Sequence, residues 1–159
     1  MATINSASGV IAITGVGSVT FTASQAASGN YALTTATASL SVAAVNPTLS
    51  GFALSTSGIT YGNTAPTVTA PTSNSSGAIT YSSSDTSVAT INSSSGAITI
   101  IGIGSVTFTA TQAANGNYAS ASTTASLTVS AATPTLSGFA LSSSSVVYGT
   151  TCLLYTSDA

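Results

Sequence analysis

The 159-residue chain has no Lys, Arg, His, Glu or Trp, and its only acidic side chains are two Asp. Each absence closes a class of function. General acid and base catalysis needs a positioned group of tunable pKa, and a Ser or Cys nucleophile needs a neighbouring base to take its proton. Without one, the sixty Ser and Thr hydroxyls are inert alcohols, and the chain is expected not to be an enzyme. Zinc wants clustered Cys, His or carboxylate ligands and calcium several carboxylate oxygens, so neither a metal nor any other cofactor is expected. Nucleic acid is excluded as a partner because Lys and Arg supply the phosphate neutralisation that carries non-specific affinity. A basic patch for anionic lipid and a Lys-to-Asn isopeptide crosslink fall with the same absence. Cys152 is the only cysteine, so no disulfide can staple the fold. No run of 18 apolar residues occurs, and no membrane insertion is expected of this stretch.

What the chain does have is repetition. Residues 2–45 return as residues 89–132 with 30 of 44 positions identical, and residues 47–64 return as 134–151, both at an offset of 87. That period exceeds a solenoid unit and is long enough for a small domain with its own core. The expected organisation is therefore residues 1–45 as the carboxyl-terminal part of a truncated repeat, 46–132 as a complete repeat, 133–151 as the start of a third, and 152–159 as a tail outside the pattern. Met1 stands opposite Val88 and reads as a start inside a longer frame. The repeat breaks off after Thr151, and the last eight residues resemble a translated sequencing adapter, so they are set aside from the fold.

Disorder normally accompanies low hydrophobicity and high net charge, whereas here 43% of residues are hydrophobic and they are patterned. Apolar residues alternate with Thr over residues 105–110 and with Ser and Thr over residues 125–130. A period of two means a strand with one buried face. Residues 77–81, 87–91 and 97–101 read as further strands, bounded by Ser, Asn and Gly turn clusters, and residues 49–54, 59–61 and 67–70 open the repeat. Helical periodicity is absent, and residues 111–118 are the one segment that could make a turn. Seven or so short strands in 87 residues imply an all-β fold, an antiparallel immunoglobulin-like β-sandwich repeated along the chain. The alternation assigns Ile79, Tyr81, Ile91, Ile98, Val106, Phe108, Leu127 and Val129 to its core. Pro47 and Pro134, ahead of matching Leu-Ser-Gly-Phe-Ala-Leu segments, mark the boundaries, and the short link 129–134 suggests a semi-rigid joint. In the truncated copy, Ile11, Val19, Phe21, Leu40 and Val42 are expected to be partly uncovered.

Residues 81–91, Tyr-Ser-Ser-Ser-Asp-Thr-Ser-Val-Ala-Thr-Ile, followed by Gly96, Ile98, Gly104 and Val-Thr-Phe-Thr-Ala at 106–110, resemble a bacterial immunoglobulin-like domain of the invasin and intimin type, group 2. The likeness covers the carboxyl-terminal two thirds of the repeat and recurs in residues 2–23. Tyr81 stands where that family commonly has Trp, and charge is nearly absent. The resemblance implies tandem spacers in extracellular or phage-borne proteins, and it carries over no enzymatic residue.

Individual residues tempt sharper readings. Asp85 lies in Ser-Ser-Asp-Thr-Ser, where a carboxylate bonds nearby backbone N–H groups and makes a turn rather than a ligand site. Thr20, Thr22, Thr107, Thr109 and Thr111 form rows like those of ice-binding β-proteins, but one row per repeat suits the outward face of a strand better. Asn74 and Asn92 fit the glycosylation pattern and read as turns. Tyr31, Tyr118 and Asn117, in Gly-Asn-Tyr loops, are the candidate glycan contacts, against the simpler reading of tyrosines packing a loop on the sandwich end. The expected function is a non-catalytic spacer or stalk of a large surface-exposed bacterial adhesin-like protein. The alternatives are a carbohydrate-binding or virion-decorating domain of a phage structural protein, and an uncharged fibre subunit whose edges lack Lys and Glu gatekeepers. Expected partners are neighbouring repeats and a cell-surface glycan or protein receptor; the expected location is extracellular or cell-surface, with the virion as the alternative.

Overall fold

The computed structural model describes residues 1–141, 143–151 and 154–155. The expected set-aside of residues 152–159 falls mostly outside them. Among the described residues there is no helix, and so none long and apolar enough to cross a membrane.

The first copy contributes β1 (Ala2–Ile4), β2 (Ile11–Ile13), β3 (Gly17–Gln25) and β4 (Thr34–Val42), paired as the antiparallel hairpins β1–β2 and β3–β4. The middle stretch holds β5 (Leu49–Ser50), β6 (Ala53–Leu54), β7 (Gly58–Thr60), β8 (Val68–Thr69), β9 (Thr72–Ser73), β10 (Ile79–Ser83), β11 (Ala89–Ile91), β12 (Ile98–Ile100), β13 (Gly104–Gln112) and β14 (Ala121–Ser130). After it come β15 (Ala140–Leu141) and β16 (Leu154–Tyr155), which pair antiparallel.

One layer of the middle sandwich is a four-stranded sheet in the order β10-β13-β14-β7, and the facing layer is built from the pairs β5–β9, β6–β8 and β11–β12. Alternation explains why β13 belongs at the centre. Its inward residues Val106, Phe108 and Ala110 are at most 2% exposed, while Thr107 and Thr109 lie on the other face, where Thr107 Oγ1 sits 3.3 Å from Ser126 Oγ of β14. Leu127 and Val129 of β14 complete the buried set with Phe52, Val88 and Ala89. Ile79, Tyr81, Ile91 and Ile98 are half-buried and pack around that core, so the assigned face is right and its outer members form the rim. Phe52 stacks on Tyr81 at 5.8 Å between ring centroids.

The opening strand is more broken than the sequence suggests. Gly51, at φ 83°, separates β5 from β6, since only glycine takes that left-handed conformation without strain. Across from it, Ala70 and Pro71 separate β8 from β9. The antiparallel plan also gains one parallel member, because β7 crosses to the other layer and pairs parallel with β14, Ile59 opposite Val129.

The two copies share their backbone plan at the 87-residue offset. Gly17 pairs with Val42 in β3–β4 and Gly104 with Val129 in β13–β14, and every pair between follows. Burial differs sharply. Val19, Phe21, Leu40 and Val42 are half-buried where Val106, Phe108, Leu127 and Val129 are buried, and Ile11 is 44% exposed. Among the described residues no strand pair stands over the apolar face of β3–β4 as β5–β9 stands over that of β13–β14.

Candidate functional site

Asp85 makes the turn expected of it. Its Oδ1 accepts from Ser87 Oγ at 2.6 Å and from the Ser87 backbone N–H at 2.9 Å, and these bonds, the side-chain one first, hold its carboxyl below the ordinary carboxylate range. Both hydrogen bonds that Oδ1 accepts come from its own loop. Among the described residues no three His, Cys, Asp or Glu cluster as metal ligands do. Asn92 likewise serves a turn, accepting from the N–H groups of Ser94 and Ser95 at 3.0 and 2.8 Å, as Asn5 does from Ala7 and Ser8 in the first copy. Asn74 Oδ1 accepts from Thr48 N–H at 2.9 Å and ties the entering chain to the sandwich.

The three candidate glycan contacts do not form one site. Tyr31 lies in the loop between β3 and β4 and is 82% exposed; Asn117 and Tyr118 lie in the corresponding loop between β13 and β14. That second loop is where the two copies meet. Asn117 Oδ1 accepts from Val16 N–H at 3.2 Å, Asn117 O accepts from Val45 N–H at 2.9 Å, and Ala119 N–H donates to Val45 O at 2.8 Å. Tyr118 is half-buried and forms a parallel bridge with Val45. Beside them an open groove of about 450 Å³ runs between residues 73–76 and 115–118, lined by hydroxyls and amides without a charged group.

Local sequence explains the loop. Gly116, at φ 57°, permits the tight reversal in which Asn115 and Tyr118 exchange backbone bonds at 3.1 and 3.0 Å, leaving the Asn117 carbonyl and the Ala119 N–H free to face another strand. The sequence singled out Asn117 and Tyr118 but missed this use of them, and it missed Val16 and Val45 altogether. The available signal was the recurrence of Gly-Asn-Tyr-Ala beside a short inter-repeat link.

Residues 63–114 match the family model of the intimin immunoglobulin-like domain. No curated protein matches the chain. The matched stretch runs from just before β8 to just after β13, and so contains most of the middle sandwich's core. Over residues 63–114 the middle domain is thus similar to the intimin immunoglobulin-like domain, and its two-layer all-β architecture agrees with that likeness.

Proposed function

We propose that this chain is a non-catalytic spacer from a surface-exposed bacterial adhesin-like protein, with residues 46–132 as one whole repeat. The observation that carries the reading is the joint at Asn117. Three hydrogen bonds hold Val16 and Val45 of one copy against the loop 115–119 of the next, across a link of a few residues. A joint of this kind converts a string of sandwiches into a semi-rigid rod whose reach follows copy number. Strands of six to ten residues at about 3.3 Å each, plus the link, give roughly 35 to 45 Å per repeat. The intimin-type match supports a cell-surface setting.

Small-angle scattering of the chain tests the mechanical role. An elongate particle, clearly longer than one sandwich, is expected; a compact particle with the first copy folded back on the second overturns it. A second reading has one observation in its favour, the 82% exposure of Tyr31, which leaves an aromatic face open for a sugar ring. Glycan-array binding that is lost in Tyr31→Ala would establish it in place of a purely mechanical role.

A further inference from the structure

The joint has two halves, and each half occurs once more on this chain without its counterpart. The receiving half is the loop 115–119. Its twin at residues 28–32 has the same fold: Ser28 and Tyr31 exchange backbone bonds at 3.1 Å, and Gly29 has φ 58° against 57° for Gly116. The inserting half is the turn 14–16 with Val45. Its twin is the turn 101–103 with Ala132, and the two turns are closed alike: Thr14 and Gly15 donate to Met1 O at 2.8 and 2.9 Å, Ile101 and Gly102 to Val88 O at 2.9 and 3.0 Å.

Apart from the Met1 amino group, which donates to Val16 O at 3.1 Å, the two differ in docking. Val16, seated against Asn117, is half-buried, whereas its counterpart Ile103 is 59% exposed. Asn30 O and Ala32 N, the counterparts of the atoms that grip Val45, have no backbone partner among the described residues. Both twins hold the docked geometry while undocked, so contact costs little ordering.

We propose that the loop 28–32 is a docking surface for the turn 101–103 and adjoining Ala132 of another copy of this repeat, seated as residues 14–16 and Val45 sit on Asn117 and Ala119. Asn30 Oδ1 accepts from the N–H of the incoming Ile103, and Asn30 O and Ala32 N–H bracket the incoming Ala132. The contact is heterologous, because the two surfaces lie on different loops, and it extends head to tail without closing. Three hydrogen bonds are far fewer than a stable interface carries, so separate chains associate weakly. Within one polypeptide the short link supplies an effective concentration of about millimolar, which makes the same contact persistent. The inference rests on the spacer reading for its role, yet the two fail separately, since a string with slack joints is still elongate.

The test is an amide NMR titration of labelled chain with unlabelled chain up to about 1 mM, the effective concentration of the tethered case. Saturable shifts are expected at Ala32 on the receiving end and at Ile103 and Ala132 on the inserting end. Asn30→Ala removes one hydrogen bond and weakens association about fivefold, while Asn30→Asp keeps the acceptor oxygen and retains it. Ile103→Asn, made on the other surface, weakens it as well and reports independently should the loop not tolerate Ala at position 30. Shifts confined to the Val19 and Phe21 face, no shift at Ala32 and Ile103, or equal association by Asn30→Ala and the parent chain overturns the proposal.

Discussion

Ser73 Oγ donates a 2.6 Å hydrogen bond to Gln112 Oε1, inside a sandwich where Gln112 is 1% exposed. The Gln112 amide nitrogen donates in turn to the carbonyl oxygens of Ser75 and Gly77 at 2.8 and 3.1 Å. One side chain thus satisfies three polar groups, the Ser73 hydroxyl at the end of β9 and two carbonyls of the loop that follows it. Gln112→Leu keeps the volume and strands all three, and an unsatisfied buried group costs about 1 to 3 kcal/mol. Loss of about 2 kcal/mol or more is expected by denaturant unfolding of the middle domain. Gln25→Leu, at the exposed equivalent in the first copy, should stay within about 0.5 kcal/mol.

The same loop approaches the sheet too closely for a side chain at Gly77. A Cβ there would collide with the carbonyl oxygen of Ala113, whose own N–H donates to Ala78 O at 2.9 Å and so cannot retreat freely. Gly77→Ala should cost about 2 to 3 kcal/mol, in the range of overpacked sites. Gly58→Ala is the matched control: its nearest neighbour would be Thr128 O at 3.9 Å, an ordinary contact, and thermal unfolding should show it neutral or slightly stabilising.

These two positions show where the sequence was legible. Alternation over 105–110 sorted Val106 and Phe108 inward and Thr107 and Thr109 outward, because burial of one face imposes a period of two. Carried two residues further, the same parity places Gln112 on the core face; a polar residue there gave no reason to extend the strand. The direction of β7 was not legible, since Ile59 suits a parallel or an antiparallel neighbour equally. Nor was the joint: what rests on Asn117 comes from 72 or more residues upstream, at Val16 and Val45, and a loop's sequence does not name its distant partner.

Acid sensitivity should be slight and traceable to one turn. Asp85 has its folded pKa lowered by the Ser87 hydroxyl first and the Ser87 N–H second. A depressed carboxylate contributes stability that is present above its unfolded pKa of about 3.9 and is lost as pH falls through the folded value. Unfolding of the middle domain should therefore be flat from about pH 8 to 5 and fall only below about pH 4. Ser87→Ala removes the leading cause and should flatten the acid limb, as should Asp85→Asn, which cannot titrate. An acid limb unchanged in both variants would assign it elsewhere.

The two long hairpins offer a comparison in which their mutual register is held constant, while β13–β14 alone gains flanking strands β10 and β7 and a closed core. β3–β4 and β13–β14 share register pair for pair, yet Phe21 is half-buried and Phe108 is fully buried. Truncating Phe108 opens a cavity in a closed core, at about 3 to 5 kcal/mol. Truncating Phe21 removes a ring with one side already in water, and the loss should stay below about 1.5 kcal/mol, less than the transfer of one fully buried side chain. Amide exchange reads the same difference without mutation. Core strands open only with the whole domain, whereas a hairpin with one bare face opens locally at lower cost. The amides of Val19 to Ala23 should accordingly exchange far faster than those of Val106 to Ala110, which are covered by the core and flanked by β10 as well as β14. Equal protection in a monomeric sample would mean that something covers Val19, Phe21, Leu40 and Val42 in solution, and addition of Phe21→Ala would then lower protection across β3–β4.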